Sequence, residues 1–469
     1  MDMITMPDAT TALDQHRERN TDEEAINLVR KRIADAGVEY VYYQTVTING
    51  RVIGKVVPAE HLIRNVEKGV NMHRTVMADF QVDRAGNLLG GGSEAAEFTA
   101  LPDLDTFSVL PWDSSVGRFF CRLYEPEHRP EVGGRPLATD VRGNLIRLHE
   151  AFTARTGLTL RTGCEPEMTW TGPGLEVHHR PDDSPAYRID LLERSRPIYQ
   201  KVIAYAKALG LNMIEGDYED PGQIELNWMF DHADLTADRL ITYRQLCRQV
   251  ARELGIKASF MPKPATGMMG NGCHHNLSLW RGEENVLEEP GRRELHLTET
   301  GQHALGGILT HAAASMAVMG STVNSYKRYW DSGQFAPSQI NWGKDNKTCT
   351  VRLSANGRLE FKLPDAMVNP YLSHAVLIAA IAEGLDNKID PGPSQQGSSY
   401  GDTSDAPRFT PLPLNLGEAL RVFDADPVVK AAIGEETAEL YHAYKWDEWA
   451  RFCGVVTDWE HMMYAEDTP

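Results

Sequence analysis

The chain carries no CxxC pair, no GxxxxGK[ST] loop, no internal repeat and no long unbroken apolar run. Each absence excludes something. Its six cysteines (Cys121, Cys164, Cys247, Cys273, Cys349 and Cys453) are scattered, which argues against a disulfide framework or zinc cluster and fits a reducing cytoplasm. Met1–Asn20 is polar and acidic in part, without the apolar core of a signal peptide. The most apolar stretch, Ala304–Met319, is interrupted by His311 and rich in Gly and Ala, so it reads as a packed helix and not a membrane span. Basic residues are scarce relative to acids, 47 against 66, for a net charge of −19. Such a field repels nucleic acid and anionic membrane, and a soluble cytoplasmic protein is expected. Part of the acidity is available to hold cations.

At 469 residues with 42% apolar and 24% charged side chains, the chain is globular and about three times a typical domain length of roughly 150 residues. Thr21–Ala36 has helical periodicity, with Thr21 and Asp22 as capping residues. VEYVYYQTVTINGRVIGKVVP then alternates β-branched and aromatic residues around Asn49–Gly50, a hairpin signal in which both turn residues are expected at positive φ. Asp83–Gly92 reads as a loop, and LPDLDTFSVLPWD and RFFCRLYEPEHRP as further strands. A small β-rich domain is expected over residues 1–135. From Thr139 helices alternate with strands. VRGNLIRLHEAFTARTG, LLERSRPIYQKVIAYAKALG and LTADRLITYRQLCRQVARELG each show apolar residues at i, i+3, i+4 and end at Gly. A second domain is therefore expected over 136–469, with a Gly/Pro/Ser-rich loop at Pro391–Pro413.

Four segments of that second region place chemistry on one strand face, because residues two apart point the same way. Glu165 and Glu167 share a face in LRTGCEPEMTW. Gln223, Glu225 and Asn227 share one in GQIELNW, opposite Ile224, Leu226 and Trp228. His274, Asn276 and Ser278 line up in GNGCHHNLSLW, and Arg358, Glu360 and Lys362 in GRLEFKLPD. Each alone is compatible with an ordinary half-buried strand. Together they are unusual, since solvated faces are rarely filled with carboxylates, one His, an Asn and an Arg in four successive strands. If the strands form one curved sheet, their polar face converges carboxylates and a single imidazole. That donor set suits Mg²⁺ or Mn²⁺ better than Zn²⁺. Pro166 cannot donate a ladder hydrogen bond, so its strand is expected at an edge or irregular there. Cations beside Arg328, Lys347, Arg352 and Arg358 describe phosphoryl transfer, at an ATP site that is neither a P-loop nor a kinase loop.

Taken in order, NGRVIGKVVP, TFSVLPWD, Glu165-Pro166-Glu167, PGQIE, FMPKP with GNGCHHNLS, VNSYKR, RLEFKLPDAMVNPYL, NKIDPG and VTDWE resemble the glutamine synthetase superfamily along nearly the whole chain. The resemblance implies an α+β protein: an N-terminal β-grasp domain and a C-terminal catalytic domain on a curved antiparallel sheet. It also implies homo-oligomeric rings, commonly a dodecamer of two stacked hexamers, with active sites shared between subunits. By position, one metal site resembles Glu167, Glu219 and Glu225, with Asp217 the rival of Glu219 because YEDPGQIE differs in length from the family segment. A second resembles Glu165, His274 and Glu360, and the family implies two or three metals per site. Ser278, Asn276, Lys347 and Arg352 fall on the nucleotide side. Arg358 matches a phosphate contact, while Gly270, Arg328 and Lys362 fall on the glutamate side. Arg328, Arg352 and Arg358 are the implied catalytic cations. The reaction implied is ATP-driven phosphorylation of the glutamate γ-carboxylate, followed by attack of an amine on the acyl phosphate.

Departures from the pattern bear on the amine. Glutamine synthetase proper carries Asp followed by Gly-Ser-Ser in its first domain, where this chain reads MADFQVDRAGN. It also carries a Glu in the loop after NSYKR, where DSGQFAPSQI places Phe335. A phenyl ring cannot attract a small cation and take its proton as a carboxylate does, but it offers an apolar or cation–π wall to an organic amine. Met269 replaces an Asn, and Lys347 and Lys362 replace arginines, which keeps charge but loses the bidentate fork. The expected function is glutamate–amine ligation to a γ-glutamylamide, ADP and phosphate. Ordinary glutamine synthetase, with an acid such as Asp331 restoring the ammonium site, is the first alternative. A non-catalytic homologue is the second. The NLY adenylylation motif is absent near Ser398–Tyr400, so control by that modification is not expected.

Overall fold

A computed structural model describes residues 10–175, 185–330, 335–400 and 409–466. Two sheets organise the chain. The first has six strands in the order Val52–Pro58, Tyr40–Val46, Asp113–Tyr124, Glu97–Pro102, Val70–His73, with Ser108–Leu110 paired to Asp113–Tyr124. Its first long strand, Tyr40–Val46, and its last, Asp113–Tyr124, pair in parallel while the remaining pairs are antiparallel. Helices Glu23–Ala36 and Leu62–Lys68 seal this sheet over a core that includes Val29, Val66, Phe98, Phe107 and Phe119. The first of them starts where Asp22 accepts the Ala25 N–H, so Asp22, not Thr21, is the cap. The expected hairpin is present, but only Gly50 takes positive φ, at 83°. Thr47 N donates to Arg51 O and Gly50 N to Thr47 O, which closes a three-residue loop with one left-handed position in place of the two-residue turn.

The second sheet has ten strands: seven along the path Trp342–Lys344, Val351–Ala355, Arg358–Phe361, Cys273–Arg281, Thr159–Thr171, Gln223–Trp228, Met213–Tyr218, with Asp231–His232 and Lys257–Ser259 paired to Thr159–Thr171 and Glu284–Asn285 to Cys273–Arg281. Its described pairs are antiparallel except the edge pair Trp342–Lys344 with Val351–Leu353, which is parallel. The apolar faces of these strands point inward: Ile224, Leu226, Trp228, Leu277, Leu279, Leu359, Phe361 and Leu363 are all buried. Behind them lie helices Val141–Thr156, Ala233–Leu254 and Pro370–Asn387. Gly157 and Gly255 end the first two in the left-handed region at φ 67° and 68°.

Two expectations are corrected here, and a third is met in one of its two forms. Pro166 lies in a central strand, not at an edge, and the strand is irregular there. It sits where Thr159–Thr171 changes partners: the Gln223–Trp228 strand pairs only with Glu167–Thr169, so beyond Pro166 no ladder donor is missed on that side. The helix expected over Leu191–Gly210 is two helices, Ile189–Arg194 and Arg196–Ala208, because Pro197 has no N–H for the Glu193 carbonyl. The apolar stretch Ala304–Met319 is likewise split at His311 into Glu299–Thr310 and Ala312–Met319. No helix among the described residues is long and apolar enough to cross a membrane.

Candidate active site

Strand register assembles the site. Glu165 stands opposite His274, Glu167 opposite Glu225, and Glu225 in turn opposite Asp217. On the other flank Asn276 pairs with Glu360 and Glu360 with Arg352. Because cross-strand partners share a face, two-residue alternation within each strand becomes one continuous polar surface across six strands. The surface lines a cavity of about 280 Å³ that holds Glu165, Glu167, Glu215, Asp217, Glu219, Glu225 and His274 among its walls.

Glu165, His274 and Glu360 present ligand atoms within 4.8 Å of one another. His274 Nδ1 lies 3.5 Å from Glu165 and 3.7 Å from Glu360, while Arg328 donates to its Nε2 at 3.2 Å. Burial, reinforced by Lys362, holds the imidazole well below its ordinary pKa although Glu360 opposes this, so the ring is neutral and ligand-competent. Glu167 accepts from Gly272 N at 2.6 Å and from Gln223 Nε2 at 3.3 Å, and Glu225 from Asn227 at 2.6 Å. These bonds do not neutralise the acids. Burial pushes Glu225 well up, with Glu165 and Glu167 adding to it, and Asp217 rises by burial and by Glu215. Glu219 reaches about 7 through burial, Asp217 and Glu167. Asp217 Oδ1 is buried without a hydrogen-bond partner. An oxygen-rich donor set that is mutually repelling and partly unpartnered fits hard divalent cations, whose charge would offset the crowding.

Cations rim these acids. Arg352 donates to Glu360 at 2.9 Å and to Asp345 at 2.5 Å, and Lys362 reaches Glu360 at 3.4 Å. Arg328 is buried and also donates to Lys362 O at 3.3 Å. Lys347, Gly270, Met269 and Phe335 complete the cavity wall. A second cavity, about 490 Å³, adjoins the first through Glu165, Glu215 and Asn227. It is lined by Trp228, Phe230 and Trp280 together with Asn276, Ser278 and Arg358. It opens because the neighbouring strand leaves Thr159–Thr171 at Pro166, so a ladder irregularity shapes an apolar slot beside the acids.

The structure thus gathers Glu165, Glu167, Glu219, Glu225, His274, Glu360, Arg328, Arg352, Lys347, Lys362, Gly270 and Phe335 at one cavity, and Ser278, Asn276 and Arg358 at the next. Arg358 is away from the acids, held by Ser354 Oγ at 2.8 Å. Asp217 lies in register with Glu225, whereas Glu219 follows the end of its strand. Asp331 lies outside the described residues. Two side chains of the acidic cavity that can bond a ligand, Glu215 and Tyr187, escaped the sequence reading. Glu215 had a signal, since Glu215, Asp217 and Glu219 alternate in IEGDYE. Tyr187, a lone loop aromatic, had none.

The whole chain superposes on solved structures of GmaS: a GmaS–ADP complex with TM-score 0.83 and 30% identity, covering 94% of this chain and 99% of that one. Ligand-free GmaS gives 0.82 and 30%, with 93% and 98% covered. Residues 139–464 match the family described as glutamine synthetase, catalytic domain. Fold and site together define an ATP-dependent ligase of a class that uses divalent metals. Similar proteins include a glutamine synthetase of Rhizobium meliloti, 33% identical, with 91% of this chain and 97% of the relative covered. A glutamate–methylamine ligase of Methyloversatilis universalis is also 33% identical, with 92% and 96% covered. The chain belongs to the glutamine synthetase family.

Proposed function

We propose that this chain ligates L-glutamate to an organic primary amine, with ATP as phosphoryl donor, through γ-glutamyl phosphate. One observation carries the choice of amine. Phe335, held at φ 58°, faces the acidic cavity at the position where the family pattern calls for a glutamate, with Lys347 Nζ 5.4 Å from its ring centre. Tyr187, also left-handed at φ 62°, adds a second aromatic to the same wall. Two rings at the cavity suit the alkyl or aryl part of an amine better than ammonium. The methylamine ligase among the relatives supports this direction.

In this reading Mg²⁺ or Mn²⁺, two or three per site, would be held by Glu165, His274 and Glu360 and by Glu167, Glu225 and Glu219, with Asp217 beside them. When bound, such ions supply charge neutralisation for the transferring phosphoryl group. The chain's own groups do the rest. The slot at Ser278, Asn276 and Trp280 receives the nucleotide base side, and Lys347, Arg352 and Arg358 bear on its phosphates. Gly270, Arg328 and Lys362 orient glutamate. A γ-carboxylate oxygen attacks the terminal phosphorus of ATP and ADP leaves. The amine nitrogen then attacks the acyl carbon, phosphate departs, and a neighbouring carboxylate takes the amine proton. The same reading takes 1–135 and 136–469 as domains of a cytoplasmic homo-oligomer, a dodecamer with sites shared between subunits.

Initial rates with glutamate, ATP and Mg²⁺ across ammonium, methylamine, longer alkylamines and arylamines test it. An organic amine should give the highest kcat/KM. Should ammonium do so, the chain is an ordinary glutamine synthetase.

A further inference from the structure

A third cavity, about 330 Å³, lies away from the active site, between the first sheet and the helix Ala233–Leu254. Three arginines line it: Arg118 from the strand Asp113–Tyr124, and Arg248 and Arg252 one turn apart on the helix. Against them the described lining offers one carboxylate, Asp113. This is an excess of positive charge in a chain whose net charge is −19.

Arg118 is the anomaly. It is 5% exposed, and its Nε and NH1 have no hydrogen-bond partner. Of its nitrogens NH2 alone has a hydrogen-bond partner, donating to Thr242 Oγ1 at 2.8 Å, while the guanidinium carbon lies 4.7 Å from the Phe120 ring centre. The acid near enough to neutralise it, Asp238, is already occupied: Arg142 donates to it at 2.9 Å and Tyr371 OH at 2.6 Å. Burial therefore pulls the Arg118 pKa down to about 10, with Asp238 opposing only in part. A buried guanidinium short of a counter-charge is costly, and an anion in the cavity beside it would offset that cost. Tyr42, Trp112 and Leu209 supply apolar contact.

We infer that this cavity is a binding site for a small organic anion, its carboxylate or phosphate oxygens taken by Arg118, Arg248 and Arg252 and its hydrocarbon part by Trp112 and Leu209. Guanidinium forks match either oxyanion, and the volume suits a metabolite-sized ligand. Because the walls come from the first sheet and from the helix Ala233–Leu254, occupancy ties the two together and raises the stability of the chain.

Titration calorimetry and thermal melts of the full-length protein, with inorganic phosphate in one arm and succinate in the other, test this. At least one anion should bind and raise Tm. Phosphate alone points to a phosphate monoester, succinate alone to a carboxylate. R248E/R252E, changed at two exposed positions, should weaken binding by about tenfold or more. R118Q should do the same, and if it does not fold the double variant still decides. Binding at wild-type strength in R248E/R252E would belong to another site and overturns the inference, as does no binding of either anion.

Discussion

Glu167 and Glu225 face each other directly across neighbouring strands, both half-buried at the cavity wall, with Gly272 N bonded to the first and Asn227 to the second. Like charges in register repel, and burial raises both carboxyl pKa values, Arg328 opposing at Glu167 while Glu165 and Glu167 add to the rise at Glu225. The sign for stability follows. A raised folded pKa contributes stability below the ordinary glutamate value and loses it as pH rises through the folded value. The metal-free protein should therefore be less stable at pH 7.5 than near pH 5, and Mg²⁺ should reverse the difference. Glu225→Gln should stabilise the metal-free protein at neutral pH by about 1–3 kcal/mol. It should also lower Mg²⁺-dependent turnover by about 100-fold or more. Melts with and without Mg²⁺, beside an ATP turnover assay, check both halves. A variant as unstable as wild type without metal counts against charge crowding.

Phe335 gives the second prediction. Its ring sits on the wall shared with Lys347 and Tyr187. Phe335→Glu places a carboxylate against the amine and removes apolar contact. The kcat/KM ratio of ammonium to methylamine should rise about tenfold or more, with the KM for glutamate little changed. An unchanged ratio would show that Phe335 does not meet the amine.

Packing behind the sheet gives a third. Gly307 lies so close to the helix Pro370–Asn387 that an added Cβ would fall 2.0 Å from Ala380 O. Backbone cannot yield there as a flexible side chain could. Gly307→Ala should cost about 3 kcal/mol or more, read from urea melts. Gly255→Ala, with no described atom within 4 Å of its Cβ, tests strain alone, since its φ is 68°.

What the sequence made legible, and what it hid, follow from the range of the interactions. Alternation is local, so Glu165/Glu167, His274/Asn276 and Arg358/Glu360/Lys362 could be placed on polar faces without tertiary information. Which strands adjoin is not local. Asp217 against Glu225 is a register fact, and no spacing within IEGDYEDPGQIE separates it from Glu219. At Pro166 the sequence allowed an edge or an irregularity, and only strand adjacency decides between them. A missing N–H excludes a ladder bond only if a partner strand is there to receive it, and here that strand has already turned away. The left-handed backbone of Tyr187 is set by its N–H bond to Tyr218 O, a long-range contact with no local signature. The Arg118 cavity was hidden too, since its arginines come from a strand and a helix more than a hundred residues apart.

The fourth prediction concerns His311, at the break between Glu299–Thr310 and Ala312–Met319. Its Nδ1 bonds Asp426 at 2.7 Å and its Nε2 bonds Glu383 at 2.5 Å, so one ring joins three helical segments. Burial works against its charge, but the hydrogen bond and charge of Asp426, then those of Glu383, outweigh it and raise the pKa. Asp426 moves the other way: burial raises it, and His311 with the Val428 and Val429 N–H groups brings it below the ordinary range. The histidine's share is fully present below its unfolded pKa, near 6.5, and fades as pH climbs through the higher folded value. The aspartate's share is present above its unfolded pKa, near 3.9, and fades as pH falls through the lower folded one. Their ranges overlap in weak acid. The stability gap between wild type and His311→Asn should therefore be largest near pH 5–6, where His311 contributes about 1 kcal/mol after solvent screening, and should shrink by pH 9. A gap that is flat from pH 5 to 9 would mean that the ring serves only as neutral packing, and one that widens with pH would reverse the sign of the clamp.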